Sequence, residues 1–273
     1  MTAPCYDGSM RRVGPSACLL ACLVACGGDD PAQPDASPPP LDGAPDASDL
    51  DGALPDAGDV DGASPDATPA GFGAVTGQCG VLTPTELDGT TPLWFQGDFT
   101  FSERYDDPLD RPQLTPGGQY IVAMPNAGGS SVFSEVFAFE WLARCEAATL
   151  IKTETEIVYD VVGKKADLLV AIDERKVGVS VTRAMTFPFG QPYTLAAATA
   201  LLDRKLDDLQ LATAQVSAAD RWSKQMLAIL AYDAQHAAMA MTAWNQLDAA
   251  TRDDTILVVA VTNGDDLFIY TDQ

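Results

Sequence analysis

Hydrophobic positions divide the chain into three stretches with different patterns. Residues 13–25 form one short apolar run, residues 27–70 offer no regular apolar positions, and helix-like and strand-like periods begin only near residue 75. A folded core needs regularly spaced apolar side chains. The pattern therefore predicts one globular domain over residues 75–273, preceded by two segments that do not contribute to its core.

The first elements predicted in this domain are two strands and a long helix. Strand-like runs occur at residues 92–100 and 119–124, and a Gly/Ser-rich loop at 126–131 leads into a helix that extends to residue 149. Glu140 falls within the apolar stripe of this helix, between Phe137 and Trp141. The helical spacing therefore directs the Glu140 side chain inward.

The rest of the domain is predicted to be a mixed sheet flanked by helices. Strands are predicted at 150–162, 166–172 and 177–183, helices at 194–216 and 218–247, and strands at 255–262 and 266–271. Alternation in the third of these strands puts Ser180 and Thr182 on the face opposite to its valines. The order predicts an α/β (α+β) fold: a mixed central sheet flanked by helices, with a small N-terminal strand addition.

The first 25 residues have the pattern of an export signal. Arg11 and Arg12 precede the apolar run, which is too short to span a bilayer. Leu23–Cys26 resembles a bacterial lipobox, which implies cleavage before Cys26 and acylation of this cysteine with lipid, including palmitate. By the same resemblance, Gly27 implies sorting to the outer membrane, so the membrane is the expected partner of Cys26. The alternative is an ordinary secretory signal with an incidental cysteine.

Residues 26–74 are predicted to be a disordered tether. Between Gly27 and Ala70 the chain has 11 Asp, no Lys or Arg and no aromatic residue, with an Asp-Gly-Ala element repeated about every ten residues. Calcium binding is the alternative, because Asp-rich loops supply oxygen ligands. The twelve-residue calcium loop with its closing Glu is missing, so a charged spacer that extends the chain is favoured.

The charge balance disfavours a nucleic-acid partner. The chain has 39 acidic and 16 basic residues and a net charge of -23, and residues 75–273 alone have 27 acidic and 14 basic side chains. Binding to phosphate backbones needs a basic footprint. A stripe formed by Arg183, Arg204 and Lys205 is the one local exception. The sequence specifies neither a protein partner nor a small-molecule ligand.

Two cysteines, Cys79 and Cys145, fall in the globular domain. The other four belong to the signal segment and the lipidation site. In an oxidising compartment an even pair predicts a disulfide, which would link the start of the domain to the end of its first long helix. Two buried free thiols are the alternative. A zinc site is disfavoured, since two thiols and His236 do not make four ligands.

The order of elements over residues 131–262 resembles the PD-(D/E)XK nuclease-like fold, which has a restriction-endonuclease-like αβββαβ core. Active members of that family bind Mg²⁺ or Mn²⁺ through an acidic residue at the start of the second strand and an acidic residue in the third. A lysine two positions further along the third strand completes the motif. Asp167 matches the first position, whereas Ser180 and Thr182 occupy the other two. The resemblance therefore implies a degenerate active site, and a binding or scaffolding role instead of catalysis.

A literal match to the family motif also exists. Asp167 is followed after six residues by Glu174 and then by Lys176. However, Glu174 and Lys176 fall in the predicted turn after the strand that Asp167 opens. About seven residues of strand separate them from Asp167 by ~20 Å. Carboxylates that far apart cannot share one cation, so the pattern favours solvated turn charges.

A rearranged metal site is the second function considered. Glu140 and Asp167, with Glu156, would hold one Mg²⁺ or Mn²⁺, and Arg183 or Lys205 would replace the missing lysine as charge stabiliser. This arrangement would make the protein an extracytoplasmic metal-dependent phosphodiesterase or nuclease.

The simpler interpretation gives these residues structural roles. Asp167 then caps a turn, Glu140 pairs with an arginine, and Ser180 and Thr182 fill a polar face of the sheet. A lone histidine in a helix, as His236 is predicted to be, is likewise more often structural than catalytic. On this basis the sequence favours a lipid-anchored surface protein without metal-dependent catalysis.

Overall fold

The computed structural model describes residues 73–126 and 132–271. The predicted signal peptide, the lipidation residue Cys26, nearly all of the predicted tether and most of the loop predicted at 126–131 lie outside the described residues. Within the described part of the chain, no helix combines the length and apolar character needed to cross a bilayer.

Seven strands form one mixed sheet. They are β1 (Ala74–Gly77), β2 (Leu93–Phe101), β3 (Thr149–Thr153), β4 (Leu168–Ile172), β5 (Arg175–Ala184), β6 (Lys224–Ala231) and β7 (Ile256–Gly264). Their order across the sheet is β1-β2-β7-β6-β5-β4-β3. The four central strands β2, β7, β6 and β5 run parallel, and β1, β4 and β3 pair antiparallel at the two sides.

The described residues form seven α-helices. They are α1 (Pro84–Asp88), α2 (Pro116–Ala123), α3 (Val132–Cys145), α4 (Leu195–Gln215), α5 (Ala234–Gln246), α6 (Ala249–Arg252) and α7 (Leu267–Tyr270), with a 3-10 helix at Pro108–Gln113. Helices α3 and α7 pack on one face, in a core that includes stacked and edge-on aromatic rings such as Phe101, Phe137 and Phe268. Helices α4 and α5 pack on the other face.

The predicted fold class is confirmed. A mixed sheet is flanked by helices, and α3, β3, β4, β5, α4 and β6 follow one another as helix, three strands, helix and strand. Both faces of β4 and β6 are buried, which explains why their sequences are largely apolar. The N-terminal strands β1 and β2 are not a separate layer but extend the same sheet beside β7.

Three predicted elements are wrong in type. Residues 119–123 of the predicted strand 119–124 belong to α2, where Thr115 accepts a hydrogen bond from the Gly118 amide and Pro116 opens the helix. Residues 224–231, predicted as helix, form the central strand β6. The prediction failed here because an apolar run buried on both faces has no period that separates strand from helix. Residues 267–270 form the short helix α7 where a strand was predicted.

Two further boundaries differ from the prediction. Helix α3 ends at Cys145 and β3 begins at Thr149, so the helix predicted to reach residue 149 is shorter. Strand β3 ends at Thr153 instead of continuing to residue 162, because Glu156 accepts hydrogen bonds from the Thr153 amide (2.9 Å) and hydroxyl (3.0 Å) and closes a turn there.

The predicted disulfide between Cys79 and Cys145 is confirmed. It joins the segment between β1 and α1 to the last residue of α3, and the two Cα atoms are 4.4 Å apart. The same two segments are also hydrogen bonded, since the Gly80 amide donates to the Cys145 carbonyl (2.8 Å) and the Leu82 amide to the Glu146 carboxylate (2.9 Å).

Candidate functional site

Strand β5 has an open edge over its last residues. Strand β4 pairs with β5 only from Ile172–Arg175 to Leu168–Val179, whereas β6 accompanies β5 as far as Ala184. The Asp167 amide donates to the Val179 carbonyl (2.9 Å), so Val179 and every second residue from it along β5 direct their backbone groups toward the β4 side. The backbone groups of Val181 and Arg183 therefore face the side where no strand follows.

Two side chains take the place of the missing strand beside Val181. The Val181 amide donates to Asp167 Oδ2 (2.5 Å), and Lys205 Nζ from α4 donates to the Val181 carbonyl (3.1 Å). The Ser180 hydroxyl also donates to Asp167 Oδ2 (3.1 Å). Buried backbone groups need such partners, so Asp167 and Lys205 complete the edge of β5.

A second carboxylate lies near this pair. Burial raises the pKa of Asp167, whereas the hydrogen bond from the Val181 amide, the positive charge of Lys205 and the hydrogen bond from the Ser180 hydroxyl lower it. Burial also raises the pKa of Glu154, with a further contribution from the negative charge of Asp167, while Lys165 and Lys205 act in the opposite sense. Glu154, Asp167, Ser180 and Lys205 together are the β5-edge cluster.

The sequence singled out every member of this cluster except Glu154. Because β3 ends at Thr153, the alternation of the strand does not extend to Glu154 and gives no direction for its side chain. Its proximity to Asp167 depends on the turn after β3, for which the sequence carries no clear signal.

Glu140 lies on the opposite face of the sheet from Asp167. Ser180 pairs with Leu227 and Thr182 with Ile229, both in the core beneath α4 and α5, and Asp167 bonds Ser180 on this side. Glu140 belongs to α3, whose core residues pack with Val179 and Val181 on the other face. The two carboxylates are therefore separated by the sheet itself.

The carboxylate of Glu140 is fully engaged where it lies. Its Oε1 accepts hydrogen bonds from the Thr115 amide (2.8 Å) and hydroxyl (2.7 Å), and its Oε2 accepts from Arg144 Nε (3.0 Å). Gly118 permits this close approach, because a Cβ there would lie 2.1 Å from Glu140 Oε1. Burial raises the pKa of Glu140, and the Thr115 and Arg144 contacts oppose that shift. The Glu140 carboxylate therefore connects α3 to Thr115 at the start of α2.

The metal set predicted from Glu140, Asp167 and Glu156 is not brought together. Glu156 Oε1 accepts from the Tyr120 hydroxyl (2.6 Å), and its other oxygen caps the turn after β3. Residues 73–126 and 132–271 contain no group of three or more His, Cys, Asp or Glu side chains placed to hold a metal ion. The physical reason is that each of these carboxylates already serves a different local structure.

Glu174 and Lys176 are distant from Asp167, as the strand phasing predicts. Glu174 lies in the tight β4–β5 turn with a φ of 64°, next to Asp173 at 47°. Lys176 Nζ donates to the Ala219 carbonyl (2.7 Å). The literal motif match therefore places its residues at opposite ends of β4.

A polar cavity of about 420 Å³ lies beyond the open edge of β5. It is lined by Thr182, Arg183, Met185, Tyr193, Ala197, Ala200, Leu201 and Arg204. The predicted residues Thr182 and Arg183 thus face this cavity, and Arg183 Nη1 donates to the Ile269 carbonyl (3.0 Å). Nearby, His236 is buried, with Nδ1 2.7 Å from Asp233 Oδ1 and its ring stacked on Tyr193.

A larger cavity, of about 530 Å³, lies where α2 and α3 meet β3. Its lining includes Pro116, Phe139, Ala143 and Leu150 and contains no charged side chain. It offers apolar surface but no ionic group that would orient a ligand.

The edge-completing role of Asp167 makes a testable prediction. Asp167→Ala leaves the buried Val181 amide without an acceptor and should lower the free energy of unfolding by about 1–3 kcal/mol. Asp167→Asn keeps an acceptor oxygen and should cost less. Denaturant unfolding of both variants measures the difference. The control is Glu103→Ala, because Glu103 is exposed. Asp107 is also exposed but caps a helix, so its replacement would itself lower stability. Equal stability of Asp167→Ala and the parent chain would contradict this role.

Comparison with known proteins adds one relative. The chain is 37% identical over 162 residues to a curated Dictyostelium discoideum protein described as the AAC-rich mRNA clone AAC4 protein. The match covers 57% of this chain and 24% of the relative, so it spans about a quarter of that protein's length. No family model matches the chain, and no solved structure matches it.

Proposed function

We propose that this chain is a lipid-anchored protein of the outer membrane whose globular head has a nuclease-like fold and binds a ligand without metal-dependent catalysis. Acylated Cys26 would hold the chain to the membrane, and residues 26–74 would act as the tether. Residues 75–273 would form the head that carries the binding site.

The order of elements supports the nuclease-like part of this proposal. Helix α3, the three strands β3 to β5, helix α4 and strand β6 follow the αβββαβ order, and Asp167 immediately precedes β4. Fold alone does not define activity, since one architecture hosts many functions. The choice between binding and catalysis therefore depends on the side chains at the β5 edge.

The observation that carries the proposal is that Asp167 and Lys205 both bond the backbone of a single residue, Val181. Asp167 Oδ2 accepts from the Val181 amide and from Ser180, and Lys205 donates to the Val181 carbonyl. A catalytic carboxylate and lysine would instead direct these groups to a metal ion and a scissile phosphate. Here both groups are used to complete a strand edge.

One observation favours the second candidate, a divalent-metal phosphodiesterase. Glu154 and Asp167 are close enough for the charge of Asp167 to raise the pKa of Glu154, and Lys205 neighbours both. Two carboxylates and a lysine are the side-chain types that such an enzyme uses. This arrangement would use Glu154 in place of Glu140 and Glu156.

Titration of the full chain with Mg²⁺ and Mn²⁺ separates the two functions. We expect no saturable heat of binding in calorimetry and no hydrolysis of a phosphodiester substrate, because residues 73–126 and 132–271 bring no three acidic side chains together to hold a metal ion. The two variants to compare are Glu154→Gln and the exposed control Glu103→Gln. The Glu154 side chain makes no hydrogen bond with the described residues, so its replacement removes no structural hydrogen bond.

Saturable metal binding that Glu154→Gln abolishes and Glu103→Gln retains would overturn the binding proposal in favour of the phosphodiesterase. Metal binding that both variants retain would have to arise elsewhere, and the Asp-rich segment 27–70 is the place to examine first.

A further inference from the structure

The cavity beyond the β5 edge has an unusual charge for this protein. Its lining includes Arg183 and Arg204 and, among the described residues, no Asp or Glu. Residues 75–273 have 27 acidic and only 14 basic side chains. A cavity lined by two arginines and no carboxylate is therefore unusual in this acidic domain. Such a cavity attracts anions.

Both arginines have donors available for a ligand. Arg204 is exposed on α4, and its side chain makes no ion pair or hydrogen bond with any described residue. Arg183 uses Nη1 for the Ile269 carbonyl, which fixes the guanidinium and leaves its other N–H groups for further contacts. The planar fork of arginine matches phosphate and carboxylate oxygens.

Helix α4 adds to the positive potential of this cavity. Ala197 and Ala200, in its first two turns, line the cavity, and the amino-terminal end of a helix carries a partial positive charge. Its first turn is already capped, since Thr194 accepts from the Ala197 amide (3.2 Å), so the helix contributes through its dipole and not through a direct amide contact.

Tyr193 supplies an independent indication that a ligand belongs here. It lines the cavity, is only 3% exposed, and its hydroxyl has no hydrogen-bond partner within the described residues. Burial raises the pKa of Tyr193 to about 12, so the hydroxyl stays protonated at neutral pH and can donate. Stacking on His236, with ring centroids 4.8 Å apart, holds the phenol in place.

We propose that this cavity binds a small molecule through a phosphate group, with Arg183 and Arg204 as its charged contacts and Thr182 and Tyr193 as hydroxyl donors. This inference rests on the proposed binding function and names its ligand class. A volume of about 420 Å³ suits a compact molecule. The acidic surface of the domain disfavours a phosphate polymer, which would approach many carboxylates at once.

Titration of the full chain with inorganic phosphate, followed by ¹H–¹⁵N NMR at an ionic strength of about 0.15 M, tests the site directly. We expect saturable shifts of the Thr182 and Arg183 amides and of the Arg204 Nε–H. Arg204→Gln should weaken phosphate binding about tenfold, because it removes a charge-assisted contact. Arg221→Gln is the matched control, since Arg221 is exposed, does not line the cavity and makes the same charge change.

Tyr193→Phe is a second variant, which keeps the stacked ring and removes only the hydroxyl. It should weaken phosphate binding a few-fold while the His236 resonances stay in place, because the aromatic contact is retained.

Two results would overturn the phosphate site: no saturable shift at these residues, or equal weakening by Arg204→Gln and Arg221→Gln, which would show diffuse attraction. A different result would instead count against the proposed function. If phosphate binds only in the presence of Mn²⁺ and binding is lost in Glu154→Gln, the head uses a metal site and the second candidate function is correct.

Discussion

Replacing both Cys79 and Cys145 by serine should lower the free energy of unfolding by about 2–4 kcal/mol. The two residues are 66 positions apart, so the disulfide closes a long loop and removes many conformations from the unfolded chain. In the folded state the same segments remain joined by the Gly80 and Leu82 hydrogen bonds, so the double variant should keep its fold.

Denaturant unfolding without reductant measures this effect, and the parent chain treated with reductant should behave like the double variant. Reductant should leave the double variant itself unchanged, which controls for effects on other parts of the protein. If the double variant and the oxidised parent chain unfold at the same denaturant concentration, the disulfide does not stabilise this domain.

Cys26→Ser should abolish incorporation of labelled palmitate into the chain. The expectation follows from the Leu23–Cys26 sequence, because serine cannot form the thioether that carries the diacylglycerol. Several acyl chains on one residue contribute about 0.8 kcal/mol per buried methylene, which gives stable membrane residence, and a chain without them loses that anchor.

Cys22→Ser is the matched control, since it lies four residues earlier in the segment that cleavage removes. It should retain the label in the mature chain. Equal labelling of the Cys26→Ser variant and the parent chain would exclude Cys26 as the acylated residue, and absence of label from the parent chain would leave an ordinary secretory signal as the explanation of residues 1–25.

Parts of the candidate site could be predicted because they depend on strand parity. A period of two put Ser180 and Thr182 on the face opposite to the valines of β5, and the pairing of Ser180 with Leu227 and of Thr182 with Ile229 agrees. The inward direction of Glu140 followed in the same way from helical spacing, and the residue is fully buried.

Other parts of the site could not be predicted, because they depend on which face each element occupies. Periodicity directs Glu140 inward and places Asp167 at the start of a strand, but it does not show that the two residues lie on opposite sides of the sheet. Glu154 and Tyr193 approach the β5 edge through a turn and a helix start, where side-chain direction has no period to reveal it.

By itself, the sequence determined the pairing of the two globular-domain cysteines and the class of the fold. These features depend on composition and local periodicity, which are properties of the chain before it folds. Only the tertiary structure decided that residues 224–231 form a central strand, that Asp167 and Lys205 complete the edge of β5, and that two arginines share a cavity without a carboxylate. Those outcomes depend on contacts between residues far apart in the chain, and no local pattern encodes them.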